Sequence, residues 1–201
     1  MIHPSTELKY VSPEIGIGVV ATEFIPKGTI TWALDPLDQV FSPEEILNMK
    51  PFFRNFIDKY AYRDQNGNHV LCWDHSRFVN HSYHSNCIST AYNFELAVRD
   101  IYPGEELTND YGYLNLSEPF YAVREAGSDR IAVMPDDLLH YHKLWDAQLQ
   151  SAFTRFNIVA QPLAVLIDSQ YEEKVRQIAA GKEEMDSIIN CYYNPDRKMA
   201  A

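Results

Sequence analysis

Two stretches gather most of the residues able to do chemistry. Arg77–Asn86 reads RFVNHSYHSN and Gly104–Tyr113 reads GEELTNDYGY, and a Gly16-Ile17-Gly18 turn precedes both. Three chemistries deserve a hearing. Cys72, His75, His81, His84 and Cys87 offer thiolates and imidazoles, which are zinc ligands. Their spacing does not form the pair-and-pair pattern of a zinc site, so no metal is expected. Ser82 and Ser85 lie beside histidines, but no G-x-S-x-G elbow presents either as a nucleophile. The third chemistry belongs to the two stretches taken together. Each alone reads as a polar strand end and a turn.

The elements that must position these residues are short. Gly18–Ala21 and Thr29–Trp32 are β-prone, with Pro26-Lys27-Gly28 as the turn between them. Ser42-Pro43-Glu44-Glu45 predicts a capped helix: serine at the cap, proline first, and a glutamate placed to reach back. A second helix is expected over Phe52–Tyr60. Asp64-Gln65-Asn66-Gly67 predicts a hairpin turn, because Asn-Gly tolerates positive φ. His69–Trp73 is then the returning strand, and Asn93–Arg99 another. Beyond Leu116 the pattern turns helical. Leu138, Tyr141, Trp145, Leu149, Ala152 and Phe153 share a face, Asp168–Gly181 has helical character, and Met185, Ile188, Ile189 and Tyr192 predict a last helix.

The 201 residues, 46% of them hydrophobic, suit one domain with an elaboration. No segment approaches the roughly 20 apolar residues that span a bilayer. The first residues, MIHPSTELKY, lack the order of a secretory signal. Three cysteines are too few and too odd a set for a disulfide framework. A reducing, cytoplasmic setting is expected, with delivery into a host cell or a nucleus left open. The net charge of −11 disfavours direct nucleic-acid binding. A basic peptide suits an acidic surface better, since attraction raises its on-rate.

In order, the Gly16-Ile17-Gly18 turn, Ile25–Thr29 (IPKGT), Arg77–Ser82 (RFVNHS), the strand through Ala97–Ile101 and the GEELTNDYGY stretch resemble the signature of SET-domain protein-lysine methyltransferases. The resemblance runs from Glu7 to Tyr121 and is interrupted near Asp35–Tyr62. It implies an α+β, mainly β fold (a β-clip) of small sheets with a knot-like threaded segment, an exception to unthreaded topology. Residues 1–121 are then the catalytic core, with a helical insert at about 36–62, and 122–201 a helical C-terminal extension. The implied cosubstrate is S-adenosylmethionine. Its implied binding residues are Gly16, Ile17, Gly18, Arg77, Asn80, His81, Tyr111 and Phe120. The glycines let the backbone approach closely, Arg77 helps neutralise a carboxylate, and Phe120 or Tyr121 covers the adenine. Tyr111 corresponds to the family's catalytic tyrosine. Tyr60, Tyr62, Tyr92, Asn109 and Tyr113 are candidates for the substrate channel.

The implied reaction is an in-line methyl transfer to a lysine amine in a protein or peptide. The amine must first lose its proton, against an ordinary pKa near 10.4. Burial and a neighbouring sulfonium both disfavour the ammonium. Alignment and preorganised electrostatics supply the rest, and no residue is assigned as a general base.

The chain departs from many relatives at two places. Asn109 stands where a phenylalanine or tyrosine usually limits how many methyl groups fit. Tyr83 stands where a zinc-binding cysteine is common, and Phe120–Gly127 contains no cysteine, so the structural zinc is expected to be absent. The chain is similar in this to compact, bacterial-type SET proteins. Its C-terminal helices are candidates to close the site, to pack as plain core, or to form a homodimer. The alternative function is an inactive SET fold kept as a peptide-binding or scaffolding module.

Overall fold

The computed structural model describes residues 1–194; the last residues of the expected C-terminal extension, 195–201, lie outside the described residues. Strands β1 (Thr6–Ser12) and β2 (Gly16–Ala21) form an antiparallel hairpin that pairs Glu7 with Val20 and Tyr10 with Ile17. Gly16 turns it at φ 84°, a conformation that glycine adopts without the Cβ penalty. Strand β3 (Ile30–Ala33) is buried throughout.

The insert carries a short strand β4 (Gln39–Phe41) and helices α1 (Pro43–Asn48) and α2 (Pro51–Tyr60). The capping box at α1 forms as the sequence predicts. Ser42 Oγ accepts from the Glu45 N–H at 3.3 Å, and the Glu45 carboxylate accepts from the Ser42 N–H at 2.7 Å. Both helices begin with proline, which suits a position whose N–H has no partner in the helix. Strands β5 (Tyr62–Arg63) and β6 (His69–Leu71) flank the Asn-Gly turn, and β4 completes a three-stranded sheet in the order β4-β6-β5. Asp64 Oδ1 fixes the turn by accepting from the N–H groups of Asn66 and Asn68, each at 2.8 Å.

Strands β7 (Asn80–His81), β8 (Cys87–Ser89), β9 (Phe94–Ala97) and β10 (Thr108–Asn109) join β3 in a sheet ordered β3-β9-β8-β10-β7. Strand β10 runs parallel to both neighbours. Thr108 lies beside Asn80, and Asn109 lies between His81 and Cys87. This register brings the two polar stretches of the sequence together.

Helices α3 (Asp137–Phe153) and α4 (Ser169–Ala179) pack on this sheet. Leu138, Trp145, Leu149 and Phe153 of α3 share one core with Ile30, Phe94 and Leu96 of the sheet. Each such side chain contributes about 1.5–3 kcal/mol by leaving water. The expected last helix over Met185–Tyr192 is instead a single 3-10 turn, Ile188–Cys191. Its flanking backbone is claimed by other elements. The Asp186 N–H donates to Tyr92 Oη at 2.6 Å, the Ile188 N–H to Asp146 at 2.8 Å, and the Tyr193 N–H to Asn115 at 2.9 Å. Cys72, Cys87 and Cys191 are free thiols, each with its pKa pushed up by burial.

Candidate active site

Tyr111 opens a 3-10 turn (Tyr111–Tyr113) directly after β10 and Asp110. Asp110 Oδ1 caps the turn by accepting from the Gly112 N–H at 3.0 Å. Tyr113 locks it from beneath: its hydroxyl donates to Cys87 O at 2.8 Å and accepts from the Asp110 N–H at 3.1 Å. Tyr111 itself is held at both ends. Its N–H donates to His81 Nδ1 at 3.2 Å, and its hydroxyl donates to Val79 O at 2.9 Å. Burial, aided by the charge of Glu106, pushes the phenol up to about 12. It is therefore a protonated donor at neutral pH.

His81 is neutral. Burial brings its pKa down to about 4, and Nδ1, acting as acceptor, leaves the proton on Nε2. Asp110 lies 3.9 Å from Nδ1 but faces an unprotonated nitrogen, so the two are not an ion pair. The Nε2–H is buried without a partner. The rings of His81, Tyr111 and Phe120 pack together, with centroids 5.3–5.8 Å apart.

On the neighbouring face, Asn80 Nδ2 donates to Ile17 O at 3.0 Å and to Glu106 Oε1 at 2.7 Å. A Cβ on Gly18 would sit 2.2 Å from that Glu106 oxygen and 2.9 Å from Asn80 Nδ2. Only glycine lets β2 approach this pair. The glycine turn, RFVNHS and ELTNDY thus converge on one place.

A family model for the SET domain matches residues 16–112, which is this same set of segments. The chain carries a SET domain. No curated protein matches it. Among solved structures it is similar to a candidate histone methyltransferase of Plasmodium falciparum, at 23% identity over 55% of this chain and 95% of the other, with a TM-score of 0.41. It is also similar to the methyltransferase domain of the human histone-lysine N-methyltransferase SETMAR, at 21% identity over 67% of this chain and 58% of that one, with a TM-score of 0.43.

Beside Tyr111 the SET domain holds a cavity of about 370 Å³. Its lining includes Tyr60, Tyr62, Arg77, Asn109, Tyr111, Tyr113 and Phe120 from the sequence reading. Tyr60 packs on Phe78 at 5.5 Å, and Tyr62 meets Trp32 edge-on at 5.7 Å. Arg77 Nη1 donates to the carbonyls of Cys72 and Trp73 at 3.2 and 3.0 Å. Gly16, Ile17, Gly18, Asn80 and His81 are not part of this cavity's lining. Tyr92 is not a wall of it, contrary to expectation. It is buried in the core under the C-terminal helices, in contact with Phe153 and Tyr171. Spacing alone could not reveal this, because Tyr92 precedes β9 and its ring turns to the face that the helices cover.

Two residues that the sequence reading passed over belong to the site. Glu106 organises the Asn80–Gly18 contact. Glu95 lines the cavity from the middle of β9, and burial pushes its carboxyl up to about 7. The signal was present: one carboxylate inside the apolar run Phe94–Val98.

The segment after Phe120 lies across the SET domain and is held without cysteines. Phe120 and Val133 exchange backbone hydrogen bonds at 2.9 and 2.8 Å. Glu125 accepts from Ser82 Oγ at 3.0 Å and from the Tyr83 N–H at 3.1 Å, and Ala126 O meets His84 Nε2 at 3.0 Å. Arg130 bridges Asp110 and Asp137, with its guanidinium 4.6 Å from the rings of both Tyr83 and Tyr141. Burial works against that charge, but the two aspartates outweigh it and hold the pKa up. Among the described residues no group of histidine, cysteine and carboxylate side chains could hold a metal.

Proposed function

We propose that this SET domain transfers a methyl group from S-adenosylmethionine to the side-chain amine of lysine in a basic protein or peptide. The observation that carries this reading is the position of Tyr111. Its backbone and ring are fixed by His81 and Phe120, while its hydroxyl reaches Val79 O beside the aromatic cavity. One tyrosine thus joins two faces suited to two different ligands.

The face around Gly18 fits the cosubstrate. Gly18 lets Asn80 and Glu106 lie close against the backbone, the buried Nε2–H of His81 lacks an acceptor, and Phe120 keeps an exposed aromatic surface next to it. When bound there, S-adenosylmethionine supplies an electrophilic methyl group. Gly18, Asn80, His81 and Phe120 would hold it, with Arg77 available to its carboxylate.

The cavity fits the lysine. Its volume lies within the range of about 300–1,000 Å³ usual for small-ligand sites. Tyr60, Tyr62 and Phe120 line the path of the methylene chain. Tyr111 Oη, with its proton committed to Val79 O, presents its lone pairs to the amine, and preorganised groups of this kind need no rearrangement during reaction. The net charge of −11 favours a basic substrate.

A ligand that binds only the native state must stabilise it. S-adenosylmethionine, or its demethylated product, is therefore expected to raise the melting temperature, and an array of lysine peptides to accept labelled methyl groups. No thermal shift at about millimolar ligand would overturn the reading. A shift without transfer to any lysine peptide would favour the scaffolding alternative.

A further inference from the structure

The lining of the aromatic cavity also carries a carboxylate. Glu95, on the second strand of the five-stranded sheet, is only 7% exposed. Its Oε1 accepts from Asn109 Nδ2 at 2.8 Å and from Ser89 Oγ at 3.0 Å. Its Oε2 has no partner among the described residues. Two further polar atoms in the lining, Asn109 Oδ1 and Trp32 Nε1, are buried without partners. Trp32 lies opposite Glu95 across β3 and β9. Among the described residues no lysine or arginine pairs with this carboxylate, and a buried charge left in that state is costly. A cationic ligand entering the cavity would meet an unused carboxylate oxygen.

We propose that Glu95, through Oε2, takes the proton from the ammonium of the substrate lysine before methyl transfer. This assignment rests on the lysine-methyltransferase reading above. An N–H bond of the ammonium breaks and an O–H bond forms on Oε2. The electron pair left on nitrogen becomes the nucleophile. Methylating an ammonium releases one proton overall, and Glu95 is its first holder before it passes to solvent. Ser89 and Asn109 keep the carboxylate aimed by way of Oε1. Asn109 supplies that hydrogen bond, which a phenylalanine at the same position could not donate.

The surroundings suit the task. Burial raises the carboxyl to about 7, against the opposing pull of Ser89, Asn109 and the N-terminal ammonium. A base works best when its pKa lies near the operating pH. Besides the N-terminal ammonium, the ionisable groups that feel its charge include Tyr62, Cys87 on β8 and Tyr113, and burial holds these three neutral. Tyr111 cannot serve instead, because it is already protonated and its hydroxyl donates to Val79.

The test is the pH dependence of transfer to a degenerate peptide library with one fixed lysine, under saturating S-adenosylmethionine, for wild type and Glu95→Gln. Wild-type rate should rise through about pH 7 and level off. Glu95→Gln should be slower by about 100-fold near neutrality, a typical loss for a general base. Its deficit should shrink as pH climbs and the lysine loses its proton unaided, while cosubstrate affinity stays unchanged. A structural role would give a deficit independent of pH, and that result would overturn the proposal. So would the absence of a ¹³C-glutamate carboxyl resonance titrating near 7 in the wild type. If wild type itself modifies no member of the library, the methyltransferase reading fails and this assignment with it; a silent wild type tells that case apart.

Discussion

The guanidinium of Arg130 lies 4.6 Å from the ring of Tyr83, the residue standing where many SET relatives place a zinc-binding cysteine. The same guanidinium joins Asp110, next to Tyr111, to Asp137 in the first turn of α3. One side chain thus ties the closing segment, the helical extension and the turn that carries Tyr111. Arg130→Ala leaves two buried carboxylates unpaired and should cost about 3–5 kcal/mol. Calorimetry should show a large fall in melting temperature. A strong chelator should leave the wild-type melting temperature unchanged, because Arg130 and Glu125 hold this segment through side-chain contacts.

Gly18→Ala tests the cosubstrate face. The added Cβ falls 2.2 Å from Glu106 Oε1, the end of a flexible side chain, so Glu106 can move away. The stability cost should be modest, about 1 kcal/mol. Moving Glu106 breaks its bond to Asn80, however, and so disturbs the side chain that faces the cosubstrate. The thermal shift given by S-adenosylmethionine should therefore vanish while the fold persists. An undiminished shift would place the cosubstrate elsewhere.

Glu95 also makes a prediction for stability. Its folded pKa is raised to about 7 from an ordinary 4.5, so the folded state favours the protonated form. The stability this contributes is complete below the unfolded pKa and is lost as pH rises through the folded one. The loss falls between about pH 4.5 and 7 and amounts to about 3 kcal/mol at 1.36 kcal/mol per pKa unit. Glu95→Gln, which never ionises, should gain on the wild type across that window. Denaturant melts at both ends of the range measure the difference. A gap that did not widen with pH would show that Glu95 is not buried as described.

The legible part of the fold lay where local chemistry decides: the capping box at Ser42, the Asn-Gly turn at Gly67, and the apolar face of α3. The last helix was misread because its backbone donors go to Tyr92, Asp146 and Asn115, which are remote in sequence. The short strands β7 and β10 carry too few residues to show a period, and only their pairing within the sheet defines them. In the site, Tyr111, Asn80 and His81 could be read from ordered motifs. Glu95 could not, since its meaning depends on Asn109 and Ser89 meeting it across the sheet. Tyr92 fails for the same reason in reverse: its type fits a channel wall, but its face of the sheet does not.

The central claim is that Tyr111 orients a lysine amine for methyl transfer, and Tyr111→Phe tests it most directly. The variant loses one hydrogen bond to Val79 O, worth about 1 kcal/mol, so it should fold and still bind S-adenosylmethionine. Mass spectrometry of a lysine peptide library incubated with each protein should find methyl-lysine with wild type. With the variant the rate should be lower by about 100-fold or more. Equal rates of methyl-lysine formation by the two proteins would contradict it.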